Sequence, residues 1–206
     1  MTDNTQTVNR GRGKGSFDTT YLIWALLAVP AVFMFVDAMG YVLAHDYRGL
    51  RLSPQLRWTG LTSSVLLIMT LMITPVCMLT GGGTRWLRAQ RRYLGVASFA
   101  YAALHLAFWL LFINLHWFLK SFVRIEIVTG WLAFFIMLPL AWTSTDAAMR
   151  RLGPKWKRLQ RWVYWAAILT FLHWILTAES LQRYLEPTLL SAPLIALSIW
   201  RFGFRK

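Results

Sequence analysis

Four histidines occur in this chain, His45, His105, His116 and His173, and two of them stand inside apolar runs. Imidazole can hold a proton or a metal, and as a neutral base it brings little charge into lipid. The stretch "WKRLQRWVYWAAILTFLHW" at 156–174 poses the question: cations Lys157, Arg158 and Arg161 lead into an apolar run that carries His173 near its far end. At a helical rise of about 1.5 Å per residue, His105 lies about 18 Å beyond Tyr93, and His173 about 16 Å beyond Trp162. A lone histidine in such a run is as readily a hydrogen-bond partner of a neighbouring helix as a ligand. Two at one depth, on helices running the same way, are the arrangement that clamps a planar cofactor, one imidazole on each face of its metal.

The elements that must hold this pair are apolar helices. The chain has 206 residues, 57% of them apolar and 16% aromatic, with twelve tryptophans, a bias toward membrane rather than a soluble core. Six runs approach the ~20 residues that cross a bilayer as helix: near 21–43, 59–79, 94–115, 126–145, 162–178 and 185–203. The predicted fold class is all-α, a polytopic six-transmembrane-helix bundle with short loops. Residues 1–20 are polar and Gly/Arg-rich and read as a disordered cytoplasmic tail, with 21–206 as one membrane domain. "TSTDAAMRRLGP" predicts a short surface helix capped by Thr143, Ser144 or Thr145 and ended at Gly153-Pro154. No internal repeat stands out.

A net charge of +14 raises nucleic acid as a partner, but its distribution argues against that. Sixteen of the 22 Lys and Arg fall in the tail, the 80–92 loop, the 146–161 loop and the C-terminus. This is the positive-inside bias, which puts both termini in the cytoplasm and makes anionic headgroups the default partner of the basic loops. One cysteine, Cys77, excludes an internal disulfide, an iron–sulfur cluster and covalent C-x-x-C-H haem attachment. The Gly81-Gly82-Gly83 run lies between two apolar runs and reads as a turn rather than a dinucleotide fingerprint. With no room for a nucleotide domain, a self-contained NAD(P)H reductase is not expected, and reductant must come from a membrane carrier or another protein.

Haem suits the histidine pair, since imidazole is a good axial ligand for iron. Small Ser98 and Ala102 share a stripe with His105, as do Ala166, Thr170 and Thr177 with His173, while Phe108, Trp109 and Phe112 would close the outer side. Such small residues also simply let helices approach. Arg88, Arg91 and Arg92, and Lys157, Arg158 and Arg161, stand at the inner ends of the two runs. There they could hold haem propionates or a flavin phosphate through forked hydrogen bonds, or serve only topology and lipid contact. His45 and His116 read as interfacial histidines, the alternative being an outer metal or haem site. Asp37 could assist proton transfer with a quinone, or be solvated or paired with Arg48 or Arg51.

The segments "LLIMTLMITPV", "LRAQRRYLGVASFAYAALHL" and "LPLAWTSTDAAMRRLGPKWKRLQRWVYWAAILTFLHW" resemble, in order and spacing, the MsrQ (YedZ) family, within the ferric-reductase-like transmembrane superfamily. The resemblance runs from about Trp58 to Glu179. It implies a six-span b-type cytochrome of the bacterial inner membrane, with no sulfoxide active site of its own. Such a subunit carries electrons from quinone, or from a flavin reductase through FMN, by haem to a periplasmic molybdopterin protein. That partner repairs methionine sulfoxide in envelope proteins. It also implies that His105 and His173 are the iron ligands. The family commonly has a further histidine thirteen residues before the second ligand, where this chain has Gln160, and "SFVRIEIVTGW" departs from its usual Arg-Pro-Tyr approach. One haem is therefore expected, with Arg91, Arg92 and Gln160 binding flavin phosphate, quinone or propionate instead of a second. Two rivals remain: a transmembrane metal (ferric) reductase using His45 and His116, and a haem-less scaffold.

Overall fold

The structure, a computed structural model, describes residues 19–43, 54–81, 85–113, 115–178 and 181–203. Among these, every regular element is a helix: α1 (Thr19–Leu43), α2 (Pro54–Leu79), α3 (Arg85–Phe112), α4 (Leu115–Ser121), α5 (Ile125–Trp142), α6 (Asp146–Leu152), α7 (Pro154–Gln160), α8 (Val163–Leu176) and α9 (Leu181–Gly203). Each predicted apolar run thus corresponds to one helix. Three stretches, Pro54–Leu79, Trp86–Leu111 and Ile125–Trp142, are long and apolar enough to cross a bilayer. Shorter apolar stretches lie at Trp24–Asp37 and Tyr184–Ile199. Large apolar side chains such as Leu26, Phe33, Leu111 and Trp142 are more than two-thirds exposed. A surface of that extent matches lipid rather than water. The protein is an all-helical membrane protein. Most of the predicted tail, with His45, Arg48 and Arg51, lies outside the described residues.

Two helix pairs form the frame, α2 with α3 and α5 with α8. The first is tied by a reciprocal clasp: Ser63 Oγ donates to the Ser98 carbonyl at 2.9 Å, and Ser98 Oγ to the Ser63 carbonyl at 2.8 Å. Short hydroxyl side chains at such a contact let the backbones approach and satisfy themselves across it. In the second pair, fully buried Ala166 of α8 packs with Met137 of α5, and Leu67 of α2 joins the same cluster. Phe99 and Phe134, stacked at 5.3 Å, join α3 to α5.

Local sequence explains the connections. Pro54 opens α2, where a missing N–H costs nothing. Thr145, one of three caps that its sequence offers, caps α6, accepting from the Ala148 N–H at 3.2 Å. Gly153 ends that helix at φ +50°, a conformation disfavoured for residues with a side chain, and Pro154 starts α7. Gly81, at φ +58°, makes the turn after α2.

Candidate functional site

His105 lies on α3 seven residues before its end, and its ring points at the first turn of α2. Nδ1 stands 2.8 Å from the Leu56 carbonyl and 3.5 Å from Thr59 Oγ1. His173 lies on α8 three residues before its end, and its Nδ1 stands 2.5 Å from the Glu126 carbonyl, in the first turn of α5. A carbonyl can only accept, so each ring carries its proton on Nδ1 and leaves the Nε2 lone pair available. Four residues beyond each acceptor is a glycine. A Cβ on Gly60 would come 2.9 Å from His105 Nδ1, and one on Gly130 would come 2.9 Å from His173 Nδ1. A threonine precedes each glycine and turns its hydroxyl back on its own helix, Thr59 to Gln55 and Leu56, Thr129 to Glu126.

The two imidazoles face a common cavity of about 1100 Å³, slightly above the roughly 300–1,000 Å³ usual for small-molecule sites. Their ring centres are 6.3 Å apart, with planes crossed at 82°. Two imidazoles bonded on opposite sides of one metal at about 2.0 Å per bond bring their ring centres to about 6–6.5 Å. Among the described residues no group of three or more His, Cys, Asp or Glu side chains could hold a bare metal ion. Two neutral nitrogen donors across a large cavity fit a metal that arrives with its own in-plane ligands, as haem iron does. Trp109, Trp131 and Phe134 wall the cavity, and Ala102, Ala133 and Thr170 leave its width open. At its rim Arg57 pairs with Glu186, and Arg124 with Glu126 at 2.5 Å.

The other residues singled out by sequence lie elsewhere. Arg91 donates to Thr74 Oγ1 at 3.1 Å, and Arg92 pairs with Asp146. That contact holds the Asp146 carboxyl below its usual range, chiefly through the Arg92 hydrogen bond. Gln160 donates to the Leu140 carbonyl at 3.0 Å, tying α7 to the last turn of α5. About 21 Å of helix separates Arg91 from His105, so these three are apart from the histidine pair. His116 is exposed on α4. Asp37, exposed on α1, accepts from Gln55 Nε2. Trp109 lines the cavity as expected, whereas Phe108 packs on Leu56.

Sequence reading missed the two carbonyls, the two glycines and the rim arginines Arg57 and Arg124. One signal was available. Thr59-Gly60 recurs as Thr129-Gly130, each near the start of an apolar run and each more than forty residues before one of the paired histidines.

Residues 59–171 match the family described as "Ferric reductase like transmembrane component". A protein of Ralstonia nicotianae named "Protein-methionine-sulfoxide reductase heme-binding subunit MsrQ" is 35% identical over 187 residues, covering 86% of this chain and 83% of its own length. A relative of the same name from Brucella anthropi is 32% identical over 206 residues, covering 98% of this chain and 87% of its own length.

Proposed function

Because the chain belongs to the MsrQ family and carries the ferric-reductase-like transmembrane component, we propose that it is a haem-binding electron-transfer subunit serving a methionine-sulfoxide reductase. The observation that carries this reading is the histidine pair, each ring fixed by a backbone carbonyl and both turned to one cavity. Haem b, bound there, supplies a one-electron redox change. The chain's own residues do the rest. His105 and His173 would hold the iron between them, and with both its open positions taken by protein the group would suit electron transfer rather than oxygen chemistry. The Leu56 and Glu126 carbonyls fix the tautomer and raise the basicity of each ligand. Trp109, Trp131 and Phe134 keep water from the cavity wall.

We place the chain in the bacterial inner membrane with six spans and both termini cytoplasmic, a topology supported by the sixteen cations on one side. The histidine pair then lies toward the periplasm, near the end where α2 and α5 begin. A periplasmic molybdopterin reductase on that side is the acceptor. Arg57 and Arg124 at the rim are the cations placed to meet haem carboxylates, one of the roles, beside flavin phosphate and quinone, that sequence alone offered for Arg91 and Arg92. Arg91, Arg92 and Gln160, far down the helices, fit the donor end, where quinol or FMN of a flavin reductase delivers electrons.

The test is a reduced-minus-oxidised spectrum of purified protein with haem counted per chain. It is followed by reoxidation on adding the purified reductase and methionine sulfoxide. A low-spin b-type signal at one haem per chain, bleached only when both are present, is expected. Folded protein without haem, or haem indifferent to the reductase, overturns the corresponding half of the reading.

A further inference from the structure

Gly60 and Gly130 do something that no turn or strained backbone asks of them. Both are mid-helix with ordinary helical conformation, where alanine is the better helix former. What each lacks is room. The ring of His105 occupies the place of a Gly60 side chain, with Nδ1 at 2.9 Å and Cε1 at 3.0 Å from an ideal Cβ. The ring of His173 does the same at Gly130, with both atoms at 2.9 Å. Real Cβ atoms essentially never approach so closely, so an alanine at either position would push the ring away. The neighbouring Gly95, in the same α2–α3 contact, differs: its Cβ would meet the Thr70 methyl at 3.6 Å, an ordinary contact.

The two arrangements match element by element. An acceptor carbonyl (Leu56, Glu126) stands in the first turn of a helix, a back-bonded threonine (Thr59, Thr129) three residues on, and a glycine (Gly60, Gly130) after it. The partner helix supplies the histidine, and seven residues before it a fully buried small residue, Ser98 or Ala166. From this duplication we propose that Gly60 and Gly130 are positioning residues for the two iron ligands. Each lets an imidazole set its Nδ1–Cε1 edge against the opposing helix, where the carbonyl takes its Nδ1–H and Nε2 is turned to the cavity. The helix pairs α2–α3 and α5–α8 are thus two copies of one ligand-holding device, facing each other across the cavity. The inference rests on the haem reading above and adds the residues that aim the ligands.

The experiment compares Gly60→Ala, Gly130→Ala and the control Gly95→Ala in the full chain. Readouts are haem per chain, the low-spin spectrum, and the response of the reduced protein to carbon monoxide. Wild type and Gly95→Ala should hold one low-spin haem and ignore carbon monoxide, since both axial positions are filled. Each of the other variants should lose about tenfold or more in haem affinity, the scale of losing a partner that orients a ligand. The haem it retains should be partly high-spin and bind carbon monoxide, which loosened helix packing that left both ligands on the iron would not produce.

Wild-type haem content, spin state and carbon monoxide indifference in both variants overturn the proposal while the haem reading stands. Loss confined to one variant overturns the duplication. A wild type without haem overturns both readings. If a glycine variant does not accumulate, the double change Gly60→Ala/His105→Ala is compared with His105→Ala, and Gly130→Ala/His173→Ala with His173→Ala. With the ring gone the methyl has its space, so the double should accumulate as well as the single. A double that still fails assigns the glycine to helix packing and overturns the proposal.

Discussion

Replacing either histidine by alanine separates what the ring does for the fold from what it does for the cofactor. In His105→Ala the Leu56 carbonyl loses its 2.8 Å partner, and Leu56 is only 8% exposed. Each carbonyl keeps a threonine donor, Thr59 Oγ1 on Leu56 and Thr129 Oγ1 on Glu126, so either variant loses one hydrogen bond of several, about 0.5–1.5 kcal/mol. That is a tolerable loss to a bundle whose other contacts, such as the Ser63–Ser98 clasp, are untouched. The cofactor loses far more. Removing a group that merely orients a ligand typically costs about 10–100-fold in metal affinity, so removing the ligand itself should exceed about 100-fold. The supports of the two rings match, so the two variants should behave alike. The assay is haem per chain by pyridine haemochromogen, on samples normalised for inserted protein. It is repeated with millimolar imidazole, which fits the space left beside the retained Cβ. Expected are near-complete haem loss in both variants and partial recovery with imidazole, which ties the loss to the ligand rather than to the fold. Full haem content with an unchanged low-spin spectrum in either variant refutes the ligand assignment.

Glu126→Gln should leave haem content and spectrum unchanged, because the main-chain carbonyl, not the carboxylate, meets His173. Only the pair with Arg124 is lost; Arg124 is 62% exposed and Glu126 17%, so it sits at the upper end of surface pairs, about 1 kcal/mol, and haem titration of the variant checks this. Asp146→Asn should loosen α6 from α3, read as faster proteolysis of the 146–161 segment. The Asp146 carboxyl is depressed in the folded protein, so its contribution is fully present above the ordinary carboxylate value and lost as pH falls through the lower folded one. Wild-type protection of the segment should therefore be flat between about pH 5 and 8 and decline only below the ordinary range of about 3.9. A decline near neutrality would point to another group.

Much of the architecture was legible in hydropathy, since each predicted run became a helix. Boundaries were less so, and at one place the error mattered. The second run was predicted from residue 59, whereas α2 begins at Pro54. The difference is the turn "PQLRW", too polar to extend an apolar run, and it contains Leu56, the acceptor for His105. Capping chemistry read true at Thr145 and Gly153, because it depends on a few adjacent residues. The arginines were harder. Arg91 and Arg92 have the chemistry to bind an anion, but nothing in their types says which cavity they border; Thr74 and Asp146 take them up, while Arg57 and Arg124 reach the rim.

The sequence by itself determined that this is a helical membrane protein with two deep imidazoles at matched height. Bilayer length and the cost of ionisable groups in lipid leave few other readings of such a pattern. Only the tertiary structure decided what holds those imidazoles. A carbonyl acceptor has no sequence signature, because every residue carries one. Which carbonyl meets which ring is set by how helices separated by more than forty residues pack. The same packing turns Gly60 and Gly130 from mid-helix weaknesses into the space that two rings occupy.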